Sequence, residues 1–202
     1  IDFCWMSQRS NDALRGRRAA TALPAAALRG FAPIIDDRVE RLILGSFPSA
    51  ASLAAGRYYA HPRNQFWVIL GRLLDEPLAE LPYDERTCRV LAHGVGIWDV
   101  YGACEREGSA DTAIRRARPN AFTLLHRLAP RLDDIAFNGS AAGRFRPLFE
   151  QAGFAVRVLP STSPAHAGRS LEQKLALWAA WWRAPRGGVV PGREPGRSGG
   201  EG

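Results

Sequence analysis

Residues 42–67 of the chain read LILGSFPSAASLAAGRYYAHPRNQFW. The segment begins as an apolar strand and passes through a tight Gly/Ser/Pro turn and an aromatic pair. It ends with an Asn directly before a stretch in which apolar residues recur at helical spacing. This order of elements predicts a small pocket for a flat ring, with one carboxamide directed into the pocket.

Strands and helices alternate along the rest of the chain. Apolar runs predict four strands, at 39–46, 95–100, 135–138 and 154–159. Helical spacing of apolar residues predicts helices at 64–74, 83–92, 121–128, 141–151 and 170–183. Strands separated by helices imply right-handed crossovers and a sheet covered on both faces. We therefore expect an α/β fold, a three-layer α/β/α sandwich with a central four-stranded parallel sheet.

The two ends of the chain differ from its middle in composition. Residues 1–28 are rich in Ala and Arg and are expected to form a flexible N-terminal segment. Residues 185–202 are rich in Gly, Pro and Arg and are expected to form a disordered tail, because they cannot bury a core. Between them, residues 29–184 are long enough for one domain with its own core.

The net charge of +7 comes from 26 Arg and one Lys against 20 acidic residues. A basic surface attracts polyanions and so favours nucleic acid as a partner, although a GC-rich genome alone also explains the excess of Arg. No apolar run approaches the roughly 20 residues of a membrane helix, and the first residues lack the pattern of a secretory signal. We therefore expect a cytoplasmic protein without a membrane partner.

Several kinds of chemistry lack their sequence signature. Cys4, Cys88 and Cys104 are widely spaced and contain no C-x-x-C pair, so we expect buried thiols and neither a disulfide framework nor a zinc site. The chain also lacks a phosphate loop, a nucleophile elbow with its triad, and a glycosidase carboxylate pair. Any reaction would have to use water, polar side chains and binding energy.

Polar segments follow all four predicted strands, at 45–49, 98–104, 138–140 and 160–168. In open parallel sheets, ligands bind beyond the carboxyl ends of the strands. The sequence therefore predicts that these four segments meet around one site.

The first of these segments and the residues after it allow two interpretations each. The turn at Ser46 and Phe47 can hold an anion or a carbonyl oxygen through backbone amides, or can be an ordinary turn. Of Tyr58 and Tyr59, one is expected to stack on a nucleobase and the other to pack over the sheet. Asn64 is a favoured helix cap, and its carboxamide can also orient a water molecule.

The later segments also allow more than one interpretation. Asp99 can bind a base edge or a water, or can cap the next segment, and Asn138 can read a base edge or form a turn and cap. Ser109 is expected to cap a short helix. The hydroxyls and amides of residues 161–168 can hold a phosphate, and His166 can donate to a phosphate or to a leaving group, unless the segment is only a polar loop.

Several of these motifs together resemble one family. GSFPS, SL, YYAHPRNQFW, GIWDVY, REGSAD, FNG and STSPAHA occur in this order between residues 30 and 182. They resemble the hypoxanthine-DNA (deoxyinosine) glycosylases of the uracil-DNA glycosylase superfamily. The segment AHPRNQFW is also similar to its counterpart in mismatch-specific uracil/thymine glycosylases. The chain departs from many superfamily members at Phe47, where they carry Asp or Asn.

The resemblance implies a monofunctional DNA glycosylase domain over residues 29–184. Such an enzyme flips a deaminated base out of double-stranded or single-stranded DNA and hydrolyses its glycosidic bond without a cofactor or metal, and we expect a monomer. Asn64 takes the catalytic position, and Tyr59 the base-stacking position. The expected site residues are, as catalytic groups, Asn64 and His166; as base-binding groups, Ser46, Phe47, Tyr59, Trp98, Asp99 and Asn138; and as DNA-binding groups, Ser161, Ser163, Ala167 and Arg169.

Three alternatives remain open from the sequence. The substrate base can be uracil or a mismatched pyrimidine instead of hypoxanthine. The chain can be a DNA-binding module of the same fold that has lost catalysis. A hydrolase or nucleotide-binding protein unrelated to DNA is the third, and it lacks a motif of its own.

Overall fold

The computed structural model describes residues 27–185. Most of the predicted N-terminal segment, 1–28, lies outside this range, as does all but the first residue of the predicted tail, 185–202. Cys4 also lies outside the described residues.

Two sheets and a set of mostly short helices make up the fold. In chain order, the strands within residues 27–185 are β1 (Leu28–Arg29), β2 (Arg41–Gly45), β3 (Val95–Asp99), β4 (Tyr101–Glu105), β5 (Arg115–Pro119), β6 (Asp134–Asn138) and β7 (Ala155–Leu159). The helices of the same region are α1 (Ala50–Ala55), α2 (Phe66–Leu74), α3 (Tyr83–Ala92), α4 (Leu125–Leu128), α5 (Ser140–Gly143), α6 (Arg146–Gln151) and α7 (Leu171–Arg183), with 3₁₀ turns at Asp111–Ala113 and Phe122–Leu124.

The main sheet has the strand order β3-β2-β6-β7, and all neighbouring pairs are parallel. Side chains alternate between the faces of the central strand β2. Leu42 and Leu44 pack into the cluster that contains Phe149 of α6. Ile43, between them, packs into the cluster that contains Trp178 of α7. Helices thus cover both faces, which confirms the predicted α/β/α sandwich with a four-stranded parallel sheet.

A second sheet was not expected from the sequence. Strands β4 and β5, which follow β3 in the chain, form a three-stranded antiparallel sheet with β1, in the order β1-β4-β5. Strand β5 reads RRARP and is mostly exposed, so it lacks the alternation of apolar and polar residues that identifies a strand. The loop between β4 and β5 extends over the carboxyl edge of the main sheet, where it contributes to the cavity described below.

Two predicted helices are divided in the structure. The predicted helix at 141–151 is split into α5 and α6, because Pro147 has no N–H to donate to the carbonyl of Gly143 four residues earlier. The predicted helix at 121–128 starts as a 3₁₀ turn and becomes α-helical only over its second half, α4. The helix predicted at 83–92 is confirmed with the same bounds as α3.

Helix α7 fixes both ends of the loop at 160–169. Ser170 begins the helix with a reciprocal capping box. The indole N–H of Trp178, on the buried side of the helix, donates to the carbonyl oxygen of Pro160 at 3.0 Å. The polar loop after β7 is therefore held at its first residue and at its last.

The cysteines do not all match the expectation of buried thiols. Cys104 is buried and free. Cys88 is part of a disulfide, so the expectation of a thiol at this position was wrong. None of the helices within residues 27–185 combines the length and the hydropathy that a membrane span requires.

Candidate active site

A cavity opens at the carboxyl edge of the parallel sheet. Its walls come from the turn after β2, from Tyr58, Tyr59 and Asn64, from the loop between β4 and β5, and from residues 161–163. Asp99 and Asn138, which end β3 and β6, complete the wall. The predicted site residues that line this cavity are Ser46, Phe47, Tyr59, Asn64, Asp99, Asn138, Ser161 and Ser163.

Asn64 ends a tight turn built by the sequence HPRN. Its backbone N–H donates to the His61 carbonyl oxygen at 2.8 Å, and the His61 ring nitrogen Nδ1 accepts from the Arg63 N–H at 3.1 Å. The Asn64 side-chain oxygen accepts from the Phe66 N–H at 3.0 Å at the start of α2. This carboxamide therefore binds a backbone N–H at the start of the helix, and it also lines the cavity. An amide oxygen has two lone pairs, so the bond to the helix leaves capacity for a water.

Tyr59 and Tyr58 differ in their surroundings. The Tyr59 ring stacks on Phe66 with a centroid distance of 3.7 Å and an interplanar angle of 16°. Its backbone has φ +53°, a conformation that is uncommon for a residue other than Gly. Tyr58 is buried, donates its hydroxyl to the Ala32 carbonyl oxygen and accepts from the Trp67 indole at its own carbonyl. Tyr58 is thus held in the core. Tyr59 is half-buried, and Phe66 supports one face of its ring.

The Asp99 carboxyl and the Tyr59 hydroxyl lie against the same side of Gly45. A Cβ atom at Gly45 would be 2.3 Å from Asp99 Oδ1 and 3.0 Å from the Tyr59 hydroxyl, so only Gly permits this approach. The pKa of Asp99 is raised to about 8, chiefly by burial; the charge of Asp111 contributes to this rise, and Arg106 opposes it. Burial likewise raises the pKa of Tyr59 well above its usual value. Both groups are therefore largely neutral at pH 7.

The loop between β4 and β5 is bonded to the turn after β2. The Arg106 guanidinium donates to the Pro48 carbonyl oxygen and lies over the Phe47 ring, 5.1 Å from its centroid. The Ser46 hydroxyl donates to Asp111 Oδ1 across the cavity wall. Phe47 is thereby buried, with 6% of its surface exposed. The loop closes one side of the cavity and adds a carboxylate that sequence reasoning did not identify.

Ser109 does not play the predicted role. The 3₁₀ turn that follows begins after Ala110 without a side-chain cap. The Ser109 hydroxyl instead accepts from the Ala50 N–H at 2.9 Å, at the start of α1. Ser109 therefore accepts from the first N–H of a distant helix, whose N-cap is Ser49, and spacing along the sequence cannot show this contact.

Asn138 and Thr162 join two walls of the cavity. The Asn138 carboxamide donates to Thr162 Oγ1 and accepts from the Thr162 N–H. The cap of α5 is Gly139, without a side-chain bond, so the interpretation of Asn138 as a helix cap was wrong. Gly139 has φ +102°, and a Cβ there would be 2.9 Å from the Ser161 Cβ, so this turn requires Gly.

Trp98 was expected at the site and lies elsewhere. Its ring packs edge-to-face on Phe122 at 5.5 Å, within the core cluster on the far side of the sheet, and only 5% of its surface is exposed. Successive side chains of a strand point to opposite faces. Because Asp99 reaches the cavity, its neighbour Trp98 cannot.

His166, Ala167 and Arg169 also lie outside the cavity, on exposed positions of the loop after β7. His166 and Arg169 line an adjacent, larger groove together with Ser161 and the buried Lys174. Ala167 lines neither space. The polar groups of the cavity, such as Asn64 and Asn138, are held in place by hydrogen bonds. The groove is an open surface with cationic side chains. The two spaces therefore differ in their charge, since Asp99 and Asp111 line the cavity and Arg169 and Lys174 line the groove.

Lys174 connects the groove to the turn that holds Asn64. Its ammonium group donates to Gln65 Oε1 at 3.0 Å, and burial lowers its pKa. The Gln65 N–H donates to the Thr162 carbonyl oxygen at 3.0 Å. The loop after β7 and the start of α2 are thus bonded to each other beside Asn64. No group of three His, Cys, Asp or Glu side chains that could hold a metal ion occurs within residues 27–185.

Comparison with known proteins supplies the family. A sequence model of the uracil DNA glycosylase superfamily matches residues 32–184. The hypoxanthine DNA glycosylase of Methanosarcina barkeri (strain Fusaro / DSM 804) is 38% identical over 151 residues, 75% of this chain and 95% of that protein. The hypoxanthine DNA glycosylase of Methanosarcina acetivorans is 37% identical over 155 residues, 77% of this chain and 98% of that protein.

A solved structure agrees with these matches. The solution NMR structure of a Methanosarcina acetivorans protein, described as a candidate uracil DNA glycosylase, superimposes with a TM-score of 0.69 at 35% identity. The match covers 77% of this chain and 98% of that protein. The family model covers most of the chain and both named relatives are more than 30% identical to it, so the chain belongs to the uracil DNA glycosylase superfamily.

Proposed function

We propose that this protein is a monofunctional DNA glycosylase that removes hypoxanthine from deoxyinosine in DNA and leaves an abasic site. Two relatives that align over nearly their whole length with this chain bear the name hypoxanthine DNA glycosylase. The observation that carries the proposal is the position of Asn64, whose side-chain oxygen is fixed by the Phe66 N–H at the wall of the cavity. This arrangement supplies an oriented acceptor for a water molecule.

Entry of the base requires that the nucleotide leave the DNA stack. Flipping costs a few kcal/mol, and less for a base that is already mispaired. Contacts between the phosphate backbone and the groove beside the cavity offset that cost. In this scheme His166 and Arg169 contact phosphates, because both are exposed in the groove and outside the cavity.

The Tyr59 ring is the proposed shelf for the flipped base. Phe66 supports one face of the ring by stacking, so the ring is already ordered before DNA binds. Stacking of a base on an aromatic ring contributes about 1–3 kcal/mol and tolerates any base. Tyr59 would therefore supply affinity, and polar groups of the cavity would supply the choice of base.

Asn64 is the proposed water-orienting group. An amide is too weak a base to remove a proton completely, but it can fix a water by accepting its hydrogen bond. This is sufficient when the sugar already resembles an oxocarbenium ion as the glycosidic bond breaks. Hypoxanthine is a good leaving group, because its keto form stabilises the negative charge that develops on the base.

Asn64→Ala tests this role, with Asn64→Asp as the matched control. The Ala variant loses the oxygen that holds both the water and the Phe66 N–H, and we expect single-turnover excision of hypoxanthine to fall at least about tenfold, equivalent to about 1.4 kcal/mol. The Asp variant keeps an acceptor oxygen and is expected to retain most activity. Unchanged excision by the Ala variant would remove Asn64 from the mechanism.

Uracil is the second candidate base, because the matched NMR structure is described as a candidate uracil DNA glycosylase. A panel of oligonucleotides that carry inosine, uracil, xanthine or a thymine mismatch separates the two. Alkali cleaves the product strand wherever an abasic site has formed. Inosine is expected to react fastest, and binding of all four oligonucleotides without any cleavage would identify a DNA-binding module instead of an enzyme.

A further inference from the structure

Within residues 27–185, the buried Asp99 carboxyl has no ionic partner at bonding distance. Its side chain is at the wall of the cavity, only 4% of the residue is exposed, and Oδ2 has no hydrogen-bond partner among the described residues. A buried carboxylate in this state would be strongly unfavourable, whereas a neutral carboxyl is tolerated. The geometry therefore favours Asp99 carrying a proton when the cavity receives a base.

The charged and titratable neighbours act on this proton in opposite directions. Asp111, from the loop between β4 and β5, disfavours a second negative charge and supports the protonated form. Arg106, from the same loop, favours the carboxylate. The hydroxyl of Tyr59 is a neutral group on the same side of Gly45 as Asp99, and the ring of buried Tyr58 lies 6.2 Å from the Tyr59 ring. Burial dominates this balance and raises the pKa of Asp99 to about 8.

Purines and pyrimidines differ in the atom that can take up such a proton. A purine presents the ring nitrogen N7 as an acceptor, next to the glycosidic nitrogen N9 in the same five-membered ring. Protonation of N7 withdraws electrons from the N9–C1′ bond and turns the departing base into a neutral molecule. A pyrimidine has no equivalent atom.

We propose that Asp99 is the catalytic acid that protonates N7 of the departing purine, and that this transfer favours purines over pyrimidines. The assignment rests on the proposed function, excision of hypoxanthine.

The step balances without any further reactant. The N9–C1′ bond breaks and its electron pair moves onto the base, while the Asp99 proton forms the N7–H bond. Water oriented by Asn64 forms the new C1′–O bond and releases a proton to solvent. Asp99, left as a carboxylate, recovers a proton from solvent after the base has departed. The products are neutral hypoxanthine and an abasic site.

The dependence of the single-turnover rate on pH tests the assignment. An acid must be protonated to act, so the wild-type rate on inosine DNA is expected to fall about tenfold per pH unit above the pKa of Asp99. Asp99→Asn keeps the shape of the group but cannot give up a proton, and it is expected to lose about 100-fold or more at pH 7 and to lack this falling limb. Asp99→Glu should recover part of the rate and the limb.

Asp111→Asn supplies a second, independent test. The amide oxygen can still accept from the Ser46 hydroxyl, so the loop contact is kept while the charge is lost. Because Asp111 raises the pKa of Asp99, its removal is expected to move the falling limb to lower pH. Asn64→Ala should lower the rate at every pH and leave the limb in place.

The outcomes separate this assignment from the proposed function. A wild-type rate that is flat between pH 6 and pH 9.5, or an Asp99→Asn variant that keeps the limb, would overturn Asp99 as the acid while hypoxanthine excision stands. If wild-type protein forms no abasic product from inosine DNA, hypoxanthine excision fails and the assignment fails with it.

A binding cycle adds a measurement that does not depend on turnover. In an Asn64→Ala background, DNA with 7-deaza-deoxyinosine, which lacks N7, is compared with inosine DNA. The loss of N7 is expected to weaken binding several-fold when Asp99 is present, and to have no effect in the Asp99→Ala double variant. Equal effects of the 7-deaza substitution in both proteins would mean that Asp99 does not contact N7, and would overturn the assignment.

Discussion

The side chain of Asn138 is hydrogen-bonded to Thr162 at both of its polar atoms. Nδ2 donates to Thr162 Oγ1 at 2.9 Å, and Oδ1 accepts from the Thr162 N–H at 2.9 Å. Thr162 is fully buried, and its carbonyl oxygen accepts from the Gln65 N–H at 3.0 Å. The end of β6 is therefore connected, through one threonine, to the residue that follows Asn64.

Asn138→Ala is expected to reduce both stability and activity. The variant leaves the Thr162 N–H and hydroxyl buried without partners, which costs about 1–3 kcal/mol of unfolding free energy in urea titrations. The loop at 161–163 would also lose its connection to β6, so excision should fall. Thr162→Val removes one of the two bonds and is expected to lose less.

A double-mutant cycle checks that the two side chains act together. If Asn138 acts through Thr162, the losses in the double variant will be clearly smaller than the sum of the single losses. An Asn138→Ala variant within about 0.5 kcal/mol of wild type would show that this contact is not important for the fold.

The stability of the protein is expected to depend on pH through Asp99. The folded pKa of about 8 lies above the unfolded value of 3.8, so between these pH values the folded state keeps a proton that the unfolded state has lost. Stability therefore decreases as pH rises through this window, by at most about 1.4 kcal/mol per pH unit from this group.

Asp99→Asn removes that penalty and separates stability from catalysis. In urea titrations, its stability relative to wild type is expected to increase from pH 5 to pH 8, even though its excision rate is low. Asp37→Asn changes an exposed carboxylate and should show no such trend. A constant difference between Asp99→Asn and wild type across this range would contradict a proton on buried Asp99.

Trp98→Phe distinguishes the core position found here from the base-binding role expected from sequence. The smaller ring is expected to cost about 1 kcal/mol of stability through the space it leaves. Rates on inosine and uracil DNA should stay in the same ratio as in wild type, because the indole contacts Phe122 and not the cavity. Tyr59→Ala is the contrasting variant and should weaken binding of inosine DNA by about 1–3 kcal/mol. A change in base preference in Trp98→Phe would restore its proposed role.

Most of the main sheet and the location of the cavity followed from local signals. Buried strands such as β2 and β6 are short apolar runs, and helices such as α3 have strong periodicity. The rule that ligands bind at the carboxyl ends of parallel strands then identified the cavity edge correctly. These features depend on neighbours in sequence or on a general property of sheets.

What the sequence did not reveal depends on contacts between distant segments. Asp111 lines the cavity on a loop that is bonded to residues some 60 positions earlier, since Arg106 binds the Pro48 carbonyl oxygen and Ser109 binds the Ala50 N–H. Thr162 connects its loop to β6 through two hydrogen bonds to Asn138, although in the sequence it resembles any polar loop residue. His166 was expected at the leaving group, yet the path of its loop carries it into the groove. No spacing rule encodes such contacts.

Arg169→Ala tests whether the groove beside the cavity is where the DNA backbone lies. A side chain that contacts one phosphate supports all DNA sequences alike, so affinity should fall equally for DNA with and without inosine. The slope of log affinity against log salt concentration should become shallower by about one unit. Arg131→Ala is the matched control, an exposed Arg just before β6 at the opposite edge of the sheet, and should change neither. An effect of Arg169→Ala confined to inosine DNA would instead place this side chain at the flipped base, and a slope equal to that of wild type would remove the groove from the DNA-binding surface.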